Sequence, residues 1–252
     1  MRPLLMITND DGVGAKGLSS LVEVAKEFGD IIVMVPSKNA SGQAHAFTST
    51  RPLRVECLKE EEGLKIYTCD GTPVDCVKLC EQYFCPRRPN IVLSGINHGS
   101  NSSINVLYSG TMGAVLEASM TGFTAIGFSL LDHSPDADFG PALPYVRMVI
   151  QKVLEKGLPK GVSLNVNIPV PEDGIIRGMR ICRQSEARWL ESYERRIDPR
   201  GKPYYWIAGR FECNDKTDDT DQWALENGYV SIVPQTTDFT AHKFIPTIME
   251  LF

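Results

Sequence analysis

The sequence has no pair of cysteines in CxxC spacing and no apolar run of membrane-spanning length. Its seven cysteines are odd in number, which argues against both a disulfide framework and a zinc ribbon. The apolar run at residues 4–7 is shorter than the hydrophobic region of a signal peptide. We therefore expect a cytoplasmic protein that is not held in a membrane.

The sequence also has no cluster of basic residues. It carries 26 basic and 31 acidic residues, for a net charge of −5, and the basic residues are scattered along the chain. Proteins that bind nucleic-acid duplexes or anionic membranes usually concentrate basic residues in one patch. Small solutes are therefore the expected partners. At 252 residues and 42% hydrophobic content, the chain can bury a large core without disulfides.

Short apolar runs in the first part of the chain predict a mostly parallel sheet that is buried on both faces. Helical patterns lie between runs that end in Gly, Ser, Asn or Asp. This alternation is typical of the Rossmann-like, doubly wound α/β class. The predicted strands are 4–7, 31–35, 91–93, 124–129 and 162–168, and the predicted helices are 18–28, 74–83, 112–120 and 144–155.

Two other regions depart from the alternating pattern. The runs 48–55 and 64–69, separated by the charged segment 59–63, predict a β-hairpin inserted ahead of the helix at 74–83. Residues 175–213 are rich in Trp and Tyr among many charges, which predicts an extended β-rich arm. The arm packs either on a partner subunit or back on its own domain. We expect one domain over residues 1–252, with an α/β core at 1–170 and a C-terminal extension at 171–252.

Two adjacent acids follow the first predicted strand. Asp10 and Asp11 lie where an open parallel sheet places its ligand crevice, at the carboxyl ends of the strands. Gly12 allows the turn that brings both side chains toward one ion. Oxygen ligands of this kind favour a hard cation such as Mg²⁺ or Mn²⁺. The alternative is an Asp that caps the helix starting near Ala15, with its neighbour in solvent.

Three further polar loops follow strands of the same predicted sheet. Residues 37–42 form a small polar loop, and residues 94–101 form a glycine-rich turn with two asparagines, Asn97 and Asn101. An asparagine offers a carbonyl oxygen to a metal and an amide N–H to a phosphate. Residues 108–113 precede a helix, whose N-terminus attracts anions. Each loop alone has an ordinary explanation as a turn or a cap, but together they predict a site for a metal and a phosphate.

Several ordered motifs resemble those of the SurE family of survival-protein nucleotidases, and the resemblance extends over nearly the whole chain. The segments are TNDDGVGAKG, PSKNASG, GTPVDCV, SGINHGSN, YSGTMGA and LNVNIP, followed by a C-terminal signature at residues 224–241. The resemblance implies a Rossmann-like domain whose extended C-terminal region exchanges contacts in homodimers or homotetramers. It also implies a metal-dependent phosphomonoesterase that hydrolyses nucleoside monophosphates.

The resemblance further assigns roles to individual residues. It implies one divalent ion, Mg²⁺ or Mn²⁺, bound by Asp10, Asp11, Ser41 and Asn97. It implies a phosphate site made by Asn101, Ser109, Gly110 and Thr111. One of the two acids is expected to accept the proton of the attacking water. His45 lies in a segment that varies in the family, so we expect it near the site but not essential.

Three other readings compete with this one. Residues 12–17 satisfy GxGxxG, as in dinucleotide-binding oxidoreductases, but two acids precede the first glycine and no ribose-binding acid ends the second strand. A phosphatase of the haloacid dehalogenase type needs a nucleophilic Asp where Asn9 stands. A metal-linked nucleotide sensor would use the same ligands without turnover.

Overall fold

The predicted parallel strands are present in the computed structural model, which describes residues 2–252. The strands are β1 (Leu4–Thr8), β2 (Asp30–Pro36), β3 (Val55–Glu61), β4 (Leu64–Cys69), β5 (Ile91–His98), β6 (Ala125–Leu130), β7 (Ser163–Ile168), β8 (Met179–Ile181), β9 (Ala187–Ile197), β10 (Pro203–Cys213) and β11 (Val230–Gln235). The helices are α1 (Lys16–Ala25), α2 (Pro73–Leu79), α3 (Gly110–Met120), α4 (Leu143–Lys156), α5 (Asp221–Glu226) and α6 (Ile245–Met249). The α/β fold class is confirmed.

Within residues 2–252, nine strands form one sheet in the order β3-β4-β2-β1-β5-β6-β7-β11-β8. The strands from β4 across to β7 are parallel, whereas β3 and β11 run antiparallel to their neighbours β4 and β7. In the sheet, β2 lies on one side of β1 and β5 lies on the other, so the direction in which successive strands are added reverses at β1. Reversals of this kind open a crevice at the carboxyl ends of the two central strands, which is where doubly wound sheets bind ligands.

The sheet is buried on both faces because its central strands are mostly apolar. Leu5 and Ile7 of β1 point into a core shared with α1 and α4, whereas Leu4 and Met6 point into a core shared with α2 and α3. Strict alternation of side chains along a strand divides the two cores in this way. The helices therefore cover both faces of the sheet, and the loops that follow its strands lie along its carboxyl edge.

Local capping sets where α2 and α3 begin. Thr72 and Asp75 form a capping box at the start of α2, in which each side chain accepts a hydrogen bond from the other residue's backbone N–H. The Ser109 hydroxyl caps α3 by accepting a hydrogen bond from the Met112 N–H over 3.0 Å. The cap therefore places residues 109–111 at the carboxyl edge of the sheet.

The predicted hairpin is partly wrong. Residues 64–69 form β4 as predicted, but the strand that pairs with it is Val55–Glu61 and not residues 48–55. The charged residues that suggested a loop lie instead on this exposed edge strand, and the turn is confined to Glu62 and Gly63. Charged side chains are common on edge strands because they discourage pairing with other chains. The hairpin also extends the main sheet, because β4 pairs with β2.

The C-terminal region contributes to the main sheet and also leaves it. β11 pairs with β7, and β8 pairs with β11. By contrast, β9 and β10 form a separate two-stranded antiparallel hairpin, in agreement with the predicted β-rich arm. Most large apolar side chains of this hairpin are exposed to solvent. Within residues 2–252, no helix is long and apolar enough to cross a membrane.

Candidate active site

The turn after β1 is held by the side chain of Asn9. Its carbonyl oxygen accepts a hydrogen bond from the Gly12 N–H over 3.1 Å, and its amide donates to the Gly12 carbonyl over 3.0 Å. Gly12 has a φ of +92°, which favours glycine. Asp10 and Asp11 lie inside this turn, as the sequence predicts. The alternative in which the aspartate caps α1 is wrong, because the N-cap residue is Ala15 and makes no side-chain cap.

Asp10 is buried where three of the predicted loops meet. Its Oδ1 accepts a hydrogen bond of 2.6 Å from the Thr111 hydroxyl at the start of α3. Its backbone carbonyl accepts one of 2.7 Å from the N–H of Ala40, in the loop after β2. Burial raises the pKa of Asp10 despite the lowering effect of Thr111, and the charge of Asp11 adds to the rise. A cation at this position would offset both destabilising effects.

Two further side-chain oxygen atoms, one on Asp11 and one on Asn97, make no hydrogen bond to the described residues. Oδ2 of Asp11 is buried without a hydrogen-bond partner, which is costly for a carboxylate. The Asn97 amide nitrogen donates to the carbonyls of His98 and Gly99, so its carbonyl oxygen remains as a ligand. Among residues 2–252, no group of three or more His, Cys, Asp or Glu side chains is placed to hold a metal. The candidate donor set is therefore two carboxylates with neutral oxygens, which fits a hard cation.

Ser41 lies in an exposed loop that is tied to the acid pair through its neighbour. The Ala40 N–H donates to the Asp10 backbone carbonyl, and the Ser41 N–H donates to the side-chain Oδ1 of Asn39 over 2.8 Å. The Ser41 hydroxyl makes no hydrogen bond to the described residues. The loop thus brings Ser41 close to the acid pair through Ala40, although no hydrogen bond joins Ser41 to Asp10 or Asp11.

The start of α3 approaches Asp10 closely. A Cβ atom added to Gly110 would lie 2.9 Å from both Cβ and Oδ2 of Asp10. Only glycine leaves room there. The Thr111 hydroxyl is committed to Asp10, whereas the first N–H groups of a helix have no partner within the helix and attract anions. The predicted phosphate loop therefore lies next to the predicted metal ligands.

Asn101 is fixed by polar residues of two neighbouring strands. Its N–H donates to the Asn167 side chain over 2.8 Å, and its carbonyl accepts from the Asn165 side chain over 2.8 Å. Its own amide donates to the Ser129 hydroxyl over 2.9 Å. Sequence reasoning did not assign this supporting role to Asn165, Asn167 or Ser129. The signal was two polar residues at alternate positions of an otherwise apolar strand.

A buried carboxylate joins the C-terminal region to the same loop. Asp221 accepts hydrogen bonds from the backbone N–H groups of Ser103 over 2.7 Å, Ser185 over 3.0 Å and Gln222 over 2.8 Å. Ser103 follows the Asn101 turn and has a φ of +54°, so its backbone needs such a restraint. Asp221 was not among the predicted site residues, because its partners are distant in sequence.

Replacing Asp221 with alanine should destabilise the protein strongly. The substitution leaves two buried N–H groups without acceptors, at an expected cost of about 3 kcal/mol. For a chain of this size, that corresponds to a fall in Tm of roughly 6–12 °C, measured by calorimetry. Asp218→Ala is the matched control, since Asp218 is exposed and makes no hydrogen bond to the described residues. Equal Tm values for the two variants would contradict the tethering role.

The chain is similar to known proteins over nearly its whole length. Residues 5–191 match the family model described as "Survival protein SurE". The chain is 51% identical to "5'-nucleotidase SurE" of Christiangramia forsetii, over 97% of this chain and 95% of that protein. It is 48% identical to the protein of the same name from Phocaeicola vulgatus, over 96% and 93%. The solved structure of the SurE protein from Aquifex aeolicus aligns with a TM-score of 0.84 at 36% identity, covering 99% of each chain.

Proposed function

The chain belongs to the SurE family, and from that premise we infer that it is a 5′-nucleotidase, a phosphomonoesterase that releases phosphate and nucleoside from nucleoside monophosphates. The observation that supports this inference best is the buried Asp10 next to Asp11 at the central crevice of the sheet, in contact with the start of α3. The rival dinucleotide site has no support.

We propose that Asp10, Asp11, Ser41 and Asn97 hold one divalent ion, Mg²⁺ or Mn²⁺. The orphaned Oδ2 of Asp11 and the raised pKa of Asp10 are the structural reasons to expect a cation. When bound, such an ion lowers the pKa of water and polarises phosphoryl oxygens. The carboxylates, the serine hydroxyl and the asparagine carbonyl are all oxygen donors, in keeping with either ion.

Asn101, Ser109, Gly110 and Thr111 are proposed to bind the phosphate of the substrate. Ser109 uses its oxygen to cap α3, which leaves its hydroxyl hydrogen free to donate. Gly110 contributes a backbone N–H, and its lack of a Cβ lets the start of α3 lie directly against Asp10. Thr111 orients Asp10 through its hydroxyl, so its part in phosphate binding would come through the N-terminus of α3. These donors would stabilise charge that develops on the phosphoryl oxygens.

The proton of the attacking water needs an acceptor among these groups. Oδ1 of Asp10 already accepts from Thr111, whereas Oδ2 of Asp11 has no partner among the described residues. We therefore propose that Asp11 binds the ion through Oδ2 and accepts the proton at its other carboxylate oxygen, while Asp10 remains an oriented, hydrogen-bonded carboxylate. Asn9 supports both acids, because its two hydrogen bonds to Gly12 hold the turn in which they lie.

A hydrolysis panel tests the proposed function. Purified chain is incubated with a set of nucleoside 5′- and 3′-monophosphates, with Mg²⁺, with Mn²⁺ or with chelator, and released phosphate is measured. We expect release from nucleoside 5′-monophosphates only when divalent metal is present. Tight nucleotide binding with no release under any of these conditions would favour the sensor reading instead.

The exposed hairpin suggests an assembly. Tyr193 and Ile207 are cross-strand neighbours, and each has 64% of its surface exposed. Isolated two-stranded hairpins are marginal in water, and apolar side chains exposed together usually mark an interface. We propose that β9 and β10 pack across the interface of a homodimer or homotetramer.

The seven cysteines are all free thiols, as is usual in a reducing compartment, and we propose that the enzyme acts in the cytoplasm.

Deleting residues 189–211 should yield a monomer. Arg188 and Glu212 pair directly across the hairpin, so a short Asn-Gly turn can join them, and the deletion removes one hydrogen bond to the rest of the chain, from the Trp189 indole to the Asn105 side chain over 2.8 Å. Light scattering at micromolar concentration should give an oligomeric mass for the intact protein and a monomeric mass for the deletion. The double variant Tyr193→Ser with Ile207→Ser, which keeps the hairpin, should weaken association in the same direction. A monomeric intact protein would refute the proposal.

A further inference from the structure

A cavity of about 560 Å³ lies along α3. Its volume is within the range of small-molecule sites in proteins. Apolar side chains from α3, from the segment before it and from β11 form one part of the wall, whereas polar side chains from three separate segments form the rest. The residues used in the argument below are Val106, Leu116, Val233, His45, Gln184 and Gln235.

The cavity begins at the proposed phosphate loop. Ser109 belongs to both, and Gly113 and Leu116 continue the cavity wall at positions four and seven residues further along α3. Residues spaced in this way lie on one face of a helix, whereas Gly110 and Thr111 face Asp10. A group attached to a phosphate at the start of α3 can therefore extend along this face into the cavity.

Two glutamines offer unused hydrogen-bonding groups to the cavity. The side-chain amides of Gln184 and Gln235 make no hydrogen bonds to the described residues, although both line the cavity. A primary amide both donates and accepts hydrogen bonds, so it can pair with the mixed edge of a nucleobase. The apolar side chains of Val106, Leu116 and Val233 suit the flat face of the same ring.

His45 is held in one orientation at the cavity wall. Its Nε2 lies 2.9 Å from Oε2 of Glu117, and Lys78 donates to Oε1 of the same carboxylate over 2.7 Å. Burial raises the pKa of Glu117, but the hydrogen bonds from Lys78 and His45 outweigh it and leave the pKa lowered. Glu117 thus remains ionised and fixes the imidazole beside the cavity, away from Asp10.

A second cavity lies on the other side of the loop at residues 37–43, but it suits a nucleoside less well. It has about the same volume, 550 Å³, and most of the residues that line it are polar or charged. Its Arg51 is already paired with Asp70 over 3.1 Å. Few apolar side chains there could cover the face of a base.

We propose that the cavity along α3 binds the nucleoside of the substrate, with the base between the apolar side chains and its edge against Gln184 and Gln235. The proposal rests on the inferred nucleotidase activity. It makes the two glutamines specificity-determining residues, and it gives His45 a place beside the nucleoside without a role in phosphate release.

The test compares a nucleotide with a phosphate ester that has no base. KM and kcat are measured with Mn²⁺ for AMP, GMP and UMP and for glycerol 2-phosphate, in the wild type and in the double variant Gln184→Leu with Gln235→Leu. Calorimetry with adenosine alone measures nucleoside binding in the absence of turnover. Gln82→Leu is the matched control, because Gln82 is exposed and lies outside the cavity. Leu116→Trp, which fills the cavity, provides an independent variant.

In the double variant, KM for at least one nucleotide should rise about 10-fold, as expected for the loss of one or two hydrogen bonds. KM for glycerol 2-phosphate should stay unchanged, and adenosine binding should be lost. Leu116→Trp should have the same selective effect, and Gln82→Leu none. An unchanged ratio of the two KM values in both cavity variants would overturn the proposal. Adenosine binding that depends on the glutamines, in a protein that hydrolyses no nucleotide, would support the cavity assignment and refute the nucleotidase.

Discussion

Replacing Asp10 with asparagine is expected to lower divalent-dependent phosphate release by about 10³-fold or more. The substitution removes one of only two carboxylates at the proposed metal site, and metal activation supplies several kcal/mol of transition-state stabilisation. Asp11→Asn should have an effect of similar size, because it also removes the proposed proton acceptor. Initial rates with AMP and Mn²⁺ measure both. Asp136→Asn, on an exposed side chain, is the matched control and should keep full activity.

The same Asp10 substitution should stabilise the metal-free protein. Burial raises the pKa of Asp10, so the folded state disfavours the ionised carboxyl, and ionised Asp10 costs stability at neutral pH. Asparagine removes that charge and keeps an oxygen for the Thr111 hydroxyl. We expect a rise in Tm of about 2–4 °C at pH 7 in chelator, since a change near 1 kcal/mol has this effect in a chain of this size.

Addition of metal should make the wild type more stable than Asp10→Asn. A ligand that binds only the folded state raises Tm, so Mn²⁺ should stabilise the wild type and leave Asp10→Asn unchanged. A variant that loses both activity and stability in chelator would show a structural role for Asp10 instead. A variant that keeps wild-type activity would remove Asp10 from the site altogether.

Gly110→Ala is expected to lower turnover by at least about 100-fold and to weaken inhibition by inorganic phosphate about 10-fold, losses typical of a misplaced catalytic group or a removed anion contact. The added Cβ would lie 2.9 Å from Oδ2 of Asp10, closer than real Cβ contacts allow. Asp10 cannot readily retreat, since it is buried and hydrogen-bonded to Thr111. Gly110→Val should be worse. Steady-state kinetics with a phosphate inhibition series gives both quantities.

Gly14→Ala is the matched control for this prediction. A Cβ at Gly14 meets nothing within 4 Å, so the substitution should leave activity unchanged. If the chain had a dinucleotide site instead, Gly14→Ala would be more harmful than Gly110→Ala. Gly14 is the glycine at which the backbone approaches the pyrophosphate in that motif. Undiminished phosphate inhibition in a folded Gly110→Val variant would move the anion site elsewhere.

The pattern of apolar residues predicted most of the sheet, because parallel strands that are buried on both faces are short apolar runs. The runs that became β1, β2 and β5 end at turn residues, and their order predicted that the acids, the serine loop and the asparagine loop meet at one edge. The edge strand β3 escaped this reasoning because its residues are mostly exposed and charged. Apolar patterning carries no information where neither face is buried.

The support of the site was harder to predict than its location. Thr111 was expected to bind phosphate, and its bond to Asp10 joins residues that are 101 positions apart. Asp221 and Ser103 are 118 positions apart. Such contacts depend on how strands are ordered in the sheet, which local patterns do not specify. Asn167 could be predicted only in part. A polar residue in a buried strand indicates that its side chain makes a hydrogen bond, but the sequence does not show that the partner is Asn101.

Phosphate release from a nucleoside 5′-monophosphate, followed in one sample through metal removal and return, tests the central claim most directly. Purified protein is assayed with AMP, treated with chelator, dialysed and assayed again before and after addition of Mn²⁺. We expect release to disappear on chelation and to return with Mn²⁺ in the wild type, but not in Asp10→Asn or Asp11→Asn. Release that survives chelation, or that Mn²⁺ restores equally in the two variants, would contradict a metal-dependent nucleotidase centred on these two acids.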